Sequence, residues 1–206
     1  MNQESFESLD LKTGDLILFS GNQSGLYSIL PWLVRIFTHS NYSHIGMILK
    51  DPTFISPELK GYYVWESSWE ASADPQDNKK KIGVQITPIE EIYKGFKDSV
   101  ITIRKPTSYD SFTDDTLKKI HKEVYDKPYD MVPIDWLEAF FRKDIDPQKT
   151  DRFWCSALVG YIYTVCGILK SSTDWSILRP SDFSVMAENL EYSGDCKLTN
   201  QEIRIQ

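Results

Sequence analysis

Cys155 is the residue of this chain best placed to act as a nucleophile. It stands in Phe153-Trp154-Cys155-Ser156-Ala157-Leu158, where an apolar run that reads as a buried helix begins. A thiol at a helix start lies among unsatisfied backbone N–H groups and at the positive end of the helix dipole. Both favour the thiolate, which is the attacking species. The ordinary alternative is a structural thiol, since cysteine is among the most buried residue types.

A nucleophile of this kind needs a base and a group to orient it. His44 opens the run His44-Ile45-Gly46-Met47-Ile48, directly after Asn41-Tyr42-Ser43. A strand start is a rigid mount, and Gly46, on the same face by period two, would leave space for something large, such as the helix carrying Cys155. Glu66 closes the run Tyr62-Tyr63-Val64-Trp65-Glu66. A carboxylate among aromatic neighbours is either at a rim or paired, and orienting an imidazole is one reason to accept its desolvation. Glu70 and Asp74 follow as looser alternatives on a loop. Each residue alone also has a plain structural explanation: a hydrogen-bonded histidine, a solvated glutamate.

Other candidates weaken on inspection. The spacing of His39 and His44 suits neither one strand face nor one helix face, and no Cys-x-x-Cys accompanies them, so a metal site is not expected. His121 falls on the stripe of Leu117 and Val124 and reads as a core or boundary residue. Cys166 lies on the Cys155 helix, and a rise of about 1.5 Å per residue puts it roughly 16 Å away, too far for a disulfide. Cys196 sits in a polar tail. Gly14, Gly21 and Gly25 lack a phosphate-cradling spacing, so no nucleotide and no other cofactor is called for.

The elements that must hold these residues divide the chain. Its front half is strand-like: Asp15–Phe19, His44–Leu49, Tyr62–Glu66, Gly83–Ile86 and Val100–Arg104 are β-rich runs bounded by turn residues. Ala71 to Lys81 reads as a solvated loop. The back half is helical. Thr113-Asp114-Asp115 caps a helix carrying Leu117, Ile120 and Val124, and Pro133 opens another over Ile134–Phe141. Cys155–Leu169 is apolar nearly all round, with Gly167 near its end. Strands first and helices second predict an α+β fold with one antiparallel sheet packed against helices.

Composition bounds the rest. The chain has 206 residues, 23 basic and 30 acidic, which suits a single domain. A net charge of −7 argues against a protein that grips nucleic-acid phosphates. Three cysteines far apart do not make a secreted disulfide framework. The start, Met1 to Glu7, is acidic and has no apolar core, so it does not read as a secretory signal. Leu26–Phe37 and Ala157–Leu169 fall short of the roughly 20 residues that a membrane span needs. A cytoplasmic location is expected. Leu26–Phe37 is apolar enough to line a lipid cleft or touch a membrane, although a plain core helix explains it more simply.

The order of segments adds a resemblance. Leu11–Phe19, Ser40-Asn41-Tyr42-Ser43-His44-Ile45-Gly46-Met47 and Val64-Trp65-Glu66-Ser67 are followed by Lys127-Pro128-Tyr129-Asp130, Trp154-Cys155-Ser156-Ala157-Leu158-Val159 and Arg179-Pro180-Ser181-Asp182-Phe183. This series resembles the circularly permuted papain-like hydrolases of the NlpC type, in particular the YiiX-like group and its poxvirus relatives. The resemblance implies a permuted papain-like fold, with a sheet or partial barrel against helices, over about residues 11–185. Residues 186–206 would form a C-terminal extension. It also implies a site in the order histidine, acid, cysteine: His44 as base, Glu66 as orienting residue and Cys155 as nucleophile.

The expected activity is that of a cysteine hydrolase, an amidase, peptidase or thiol acyl hydrolase, working through an acyl-cysteine. Its substrate would be a peptide, an amino-acid amide or a lipid-like acyl compound, with Trp65, Trp154 and Tyr27 as candidate cleft walls. The alternatives are a lipid acyltransferase and an inert papain-like binding or virion structural protein. A virion location would follow from a viral origin.

Overall fold

A computed structural model of the chain describes residues 6–20, 42–68, 73–96, 99–130, 150–187 and 189–206. The helices expected over Leu26–Phe37 and Ile134–Phe141 lie outside these residues, as do Tyr27, His39 and Glu70.

The described chain is α+β. Its strands are β1 (Leu16–Ser20), β2 (Tyr42–Lys50), β3 (Tyr62–Ser68), β4 (Ala73–Asp74), β5 (Lys79–Lys80), β6 (Gly83–Pro88), β7 (Val100–Pro106) and β8 (Leu198–Arg204). Its helices are α1 (Ile89–Gly95), α2 (Asp114–Val124) and α3 (Cys155–Val165). Six strands form one sheet in the order β6-β3-β2-β1-β7-β8, with every ladder antiparallel. The remaining pair, β4 and β5, makes a separate hairpin. The final segment therefore joins the main sheet as its edge strand beside β7, and one helix, α1, falls among the strands.

The central strand explains its own sequence. β1 is covered on both faces, so it carries an unbroken apolar run. Leu16 and Leu18 join the cluster formed with α2 and α3, whereas Ile17 and Phe19 join the cluster with Phe6, Leu11, Ile89 and Ile92. β2 alternates in the same way, with Ile45, Met47 and Leu49 on the first side and Ile48 on the second.

α2 and α3 follow their expected signals, α3 with shorter bounds, whereas α1 was not expected. The Thr113 hydroxyl accepts from Thr116 N–H at 3.3 Å and starts α2, whose buried residues are Leu117, Ile120 and Val124. α3 is buried continuously from Cys155 to Tyr163, which accounts for its apolar circumference. It stops at Val165, short of Leu169, because Gly167 takes φ +72° and Ile168 N–H turns back to Tyr163 O at 2.9 Å.

Residues 73–81 depart from the solvated loop expected of them. Asp74 is buried, and Lys81 Nζ lies 3.1 Å from its Oδ2, 2.8 Å from Asp77 Oδ2 and 3.7 Å from Asp126 Oδ1. The ammonium also sits 4.2 Å from the centre of the Tyr125 ring. Polarity here marks a buried ion cluster that fastens the hairpin to the end of α2. Charge alone does not distinguish that arrangement from a solvated loop.

Candidate active site

His44 and Glu66 reach each other across neighbouring strands. The ladder between β2 and β3 runs from Met47↔Trp65 to Lys50↔Tyr62 and stops there, although β2 reaches back to Tyr42 and β3 continues to Ser68. In this unladdered stretch His44 Nε2 meets Glu66 Oε2 at 2.6 Å. The same end of β3 receives the approach to α3, since Ser67 Oγ donates to Phe153 O at 2.6 Å. Phe153 is two residues before the nucleophile. The parting of β2 and β3 thus gives the helix start its place next to the imidazole.

Gly46 serves a different purpose from the one expected. A Cβ there would overlap Val64 Cγ1 and lie 3.2 Å from Trp65 O. It is the neighbouring strand, not the Cys155 helix, that fills the space.

The His44 ring is held on several sides. Phe19 lies opposite it on β1, with ring centres 5.4 Å apart, and Phe96 stacks nearly parallel at 5.9 Å. Burial opposes the imidazolium, but hydrogen bonds to Cys155 and Glu66 outweigh it and push the His44 pKa up to about 10. With Nε2 engaged by Glu66, Nδ1 is the ring nitrogen left for the thiol.

Cys155 is the first residue of α3 and is 3 % exposed. Trp154 occupies the N-cap and gives no side-chain cap, so the first-turn N–H groups of this helix are not satisfied in the usual way. Ser156 Oγ donates to Leu178 O at 2.7 Å and ties the helix start to the loop packed against it.

Residues 127–130 form a narrow ribbon beside the site. Val84 N–H donates to Lys127 O at 2.9 Å and Tyr129 N–H to Ile82 O at 3.1 Å. On the other side Phe153 N–H donates to Pro128 O and Asp130 N–H to Phe153 O, both at 3.1 Å. The Tyr129 phenol is pushed up by burial and then by the charges of Cys155 and Asp130, which places it within electrostatic reach of the thiol.

The structure therefore brings Cys155, His44 and Glu66 together. Asp74 is engaged by Lys81 and Gln76 and is not the partner of His44. His121 Nε2 contacts Gln76 Oε1 at 2.7 Å, as a boundary residue would. Cys166 is buried, with its thiol pushed up to about 12 by that burial. Cys196 Sγ lies 3.6 Å from Ser108 O, away from the site. Among the described residues no cluster of His, Cys, Asp and Glu fits a metal ion.

Sequence reasoning missed Thr87 and Phe96 and gave Tyr129 no role. Thr87 had a signal. Gln85 and Thr87 put two polar side chains at alternate positions of an otherwise apolar strand, the spacing of one face.

No protein-family model matches this chain, and no curated protein matches it. Among the described residues, no helix is long and apolar enough to cross a membrane.

Proposed function

We propose that this protein is a cysteine hydrolase with a permuted papain-like arrangement, acting on an amide or ester carbonyl. The observation that carries this reading is the continuous chain from Glu66 through His44 to Cys155 at an uncapped helix start. The raised proton affinity of His44 suits an imidazolium beside a thiolate.

The thiolate attacks the carbonyl carbon and forms a tetrahedral oxyanion. Backbone N–H groups at the start of α3 are the donors for that charge. His44 passes its proton to the leaving group, the carbon–leaving-group bond breaks, and an acyl-cysteine remains. Water then attacks the thioester while neutral His44 takes its proton. A second tetrahedral species collapses to release the acid and restore the thiolate–imidazolium pair. Glu66 holds Nε2 throughout and so fixes which nitrogen faces the thiol. The substrate class is a peptide, an amino-acid amide or a lipid-like acyl compound. A second acceptor in place of water would make the protein an acyltransferase.

The burial of Cys155 favours one rival, a papain-like binding protein without turnover. Acyl-directed covalent probes separate the two. The enzyme acylates at Cys155 and loses labelling in Cys155→Ser and His44→Ala, whereas full labelling in Cys155→Ser would exclude the proposed nucleophile. Absence of labelling in the wild type would favour the binding protein.

A further inference from the structure

Both oxygens of the Glu66 carboxylate are engaged. Oε2 meets His44, while Oε1 accepts from Thr87 Oγ1 at 2.8 Å. Glu66 and Thr87 are both buried, at 1 % and 3 % exposure. Thr87 lies opposite Val64 in the β3–β6 ladder, and Gln85 lies opposite Glu66, so Thr87 is the diagonal neighbour of Glu66 on the same face. One residue later the chain enters α1, and Phe96 at the far end of that helix stacks on the His44 ring. A single segment touches the acid with its first residue and the imidazole with its last.

We propose that Thr87 is a positioning residue of this site, its hydroxyl fixing the Glu66 carboxylate in the orientation that presents His44 to Cys155. The inference rests on the reading of Cys155, His44 and Glu66 given above. The terminal torsion of a glutamate is broad, so one bond to His44 leaves the carboxylate plane free to turn. A second bond, from the opposite side, removes that freedom. The donor must be Thr87, because an ionised carboxylate has no proton to give. Threonine is suited to the task, since its branched side chain is stiff at χ1 and aims the hydroxyl at little entropic cost. Without it Oε1 would be a buried acceptor lacking its partner, which weakens the carboxylate as an anchor for a charged imidazole.

The titratable groups that meet here are His44 from β2, Glu66 from β3 and Cys155 from α3, with Tyr129 and Asp130 beyond the thiol. β6 contributes the Thr87 hydroxyl and α1 the Phe96 ring.

The test is the rate of Cys155 alkylation by iodoacetamide in the full chain, followed by mass spectrometry from about pH 5 to about pH 9. Thr87→Val, which removes the hydroxyl and keeps the shape, is expected to slow alkylation near pH 6 about tenfold. The whole profile would move toward that of an ordinary thiol. Thr87→Ser restores the hydroxyl and is expected to stay within about twofold of wild type. Thr87→Ala carries the same expectation as Thr87→Val if the valine variant does not fold. A His44-dependent wild-type profile that neither Thr87→Val nor Thr87→Ala moves overturns the role of Thr87 alone. A wild-type Cys155 that reacts as an ordinary thiol, indifferent to His44→Ala, overturns the underlying site and the positioning role with it.

Discussion

His44 joins the chemistry of the site to the stability of the fold. Its pKa rises from 6.5 to about 10 on folding, so the folded state binds the proton more tightly than the unfolded chain does. The resulting stabilisation is complete below about pH 6.5, declines as pH rises, and is gone above about pH 10. Urea unfolding of wild type and His44→Gln should therefore show a gap that narrows steadily across that window. A gap that stays constant with pH would mean that the proton on His44 contributes nothing to folding. The three residues of the candidate site were singled out by type, as a thiol at a helix start, a histidine opening a strand and an acid closing another, and the family resemblance joined them. Thr87 left only the polar alternation with Gln85 as a signal, and its partner became visible only where the ladder sets it diagonal to Glu66.

Among the elements, the contact between β2 and β3 sets the geometry of the site. Gly46→Ala would force Cβ into Val64 Cγ1 and against Trp65 O. Overpacking of this kind costs about 1–3 kcal/mol. Pairing it with Val64→Ala should recover part of that loss, because the clash is with a side chain as well as with backbone. Denaturant unfolding of the four combinations measures the coupling, and strict additivity would place the strain elsewhere. Five strands of the main sheet were readable from β-branched and aromatic runs, with boundaries displaced by a few residues, whereas the edge strand β8 and the β4–β5 hairpin were not. The parting of β2 and β3 was not readable, since nothing in a strand's alternation records where its neighbour leaves it. α3 was overextended because apolar residues continue past the Gly167 turn and pack there as loop.

At the scale of the whole molecule, Lys81 is the buried cation that holds the hairpin β4–β5 to the end of α2. Lys81→Met would leave the Asp74 carboxylate buried without its cation, a loss of about 3–5 kcal/mol at neutral pH. Burial opposes the Asp77 carboxylate, but hydrogen bonds from Lys81 and Tyr125 outweigh it and hold its pKa at about 2. The stabilisation from Asp77 is present above its ordinary value of 3.8 and is lost as pH falls through about 2. The difference between wild type and Lys81→Met should accordingly shrink over that acid range, as thermal unfolding at a series of pH values would show. An undiminished difference at about pH 2 would separate Lys81 from Asp77 energetically. The α+β class was legible because β-rich runs bounded by turn residues come first and helical runs follow. The ion cluster was hidden because its residues are those of a surface loop.

β8 has a consequence for when the candidate site assembles. Glu202 on that strand accepts from the Tyr42 hydroxyl at 2.6 Å, across 160 residues of sequence, and Tyr42 is two residues from His44. Arg104 on β7 bonds Thr199 O and Phe183 O at 2.9 and 2.8 Å, drawing the late part of the chain onto the sheet. Contacts of such separation form slowly and late in folding. The thiol of Cys155 meets His44 only when chain from both halves has docked, so the candidate site assembles with the fold as a whole.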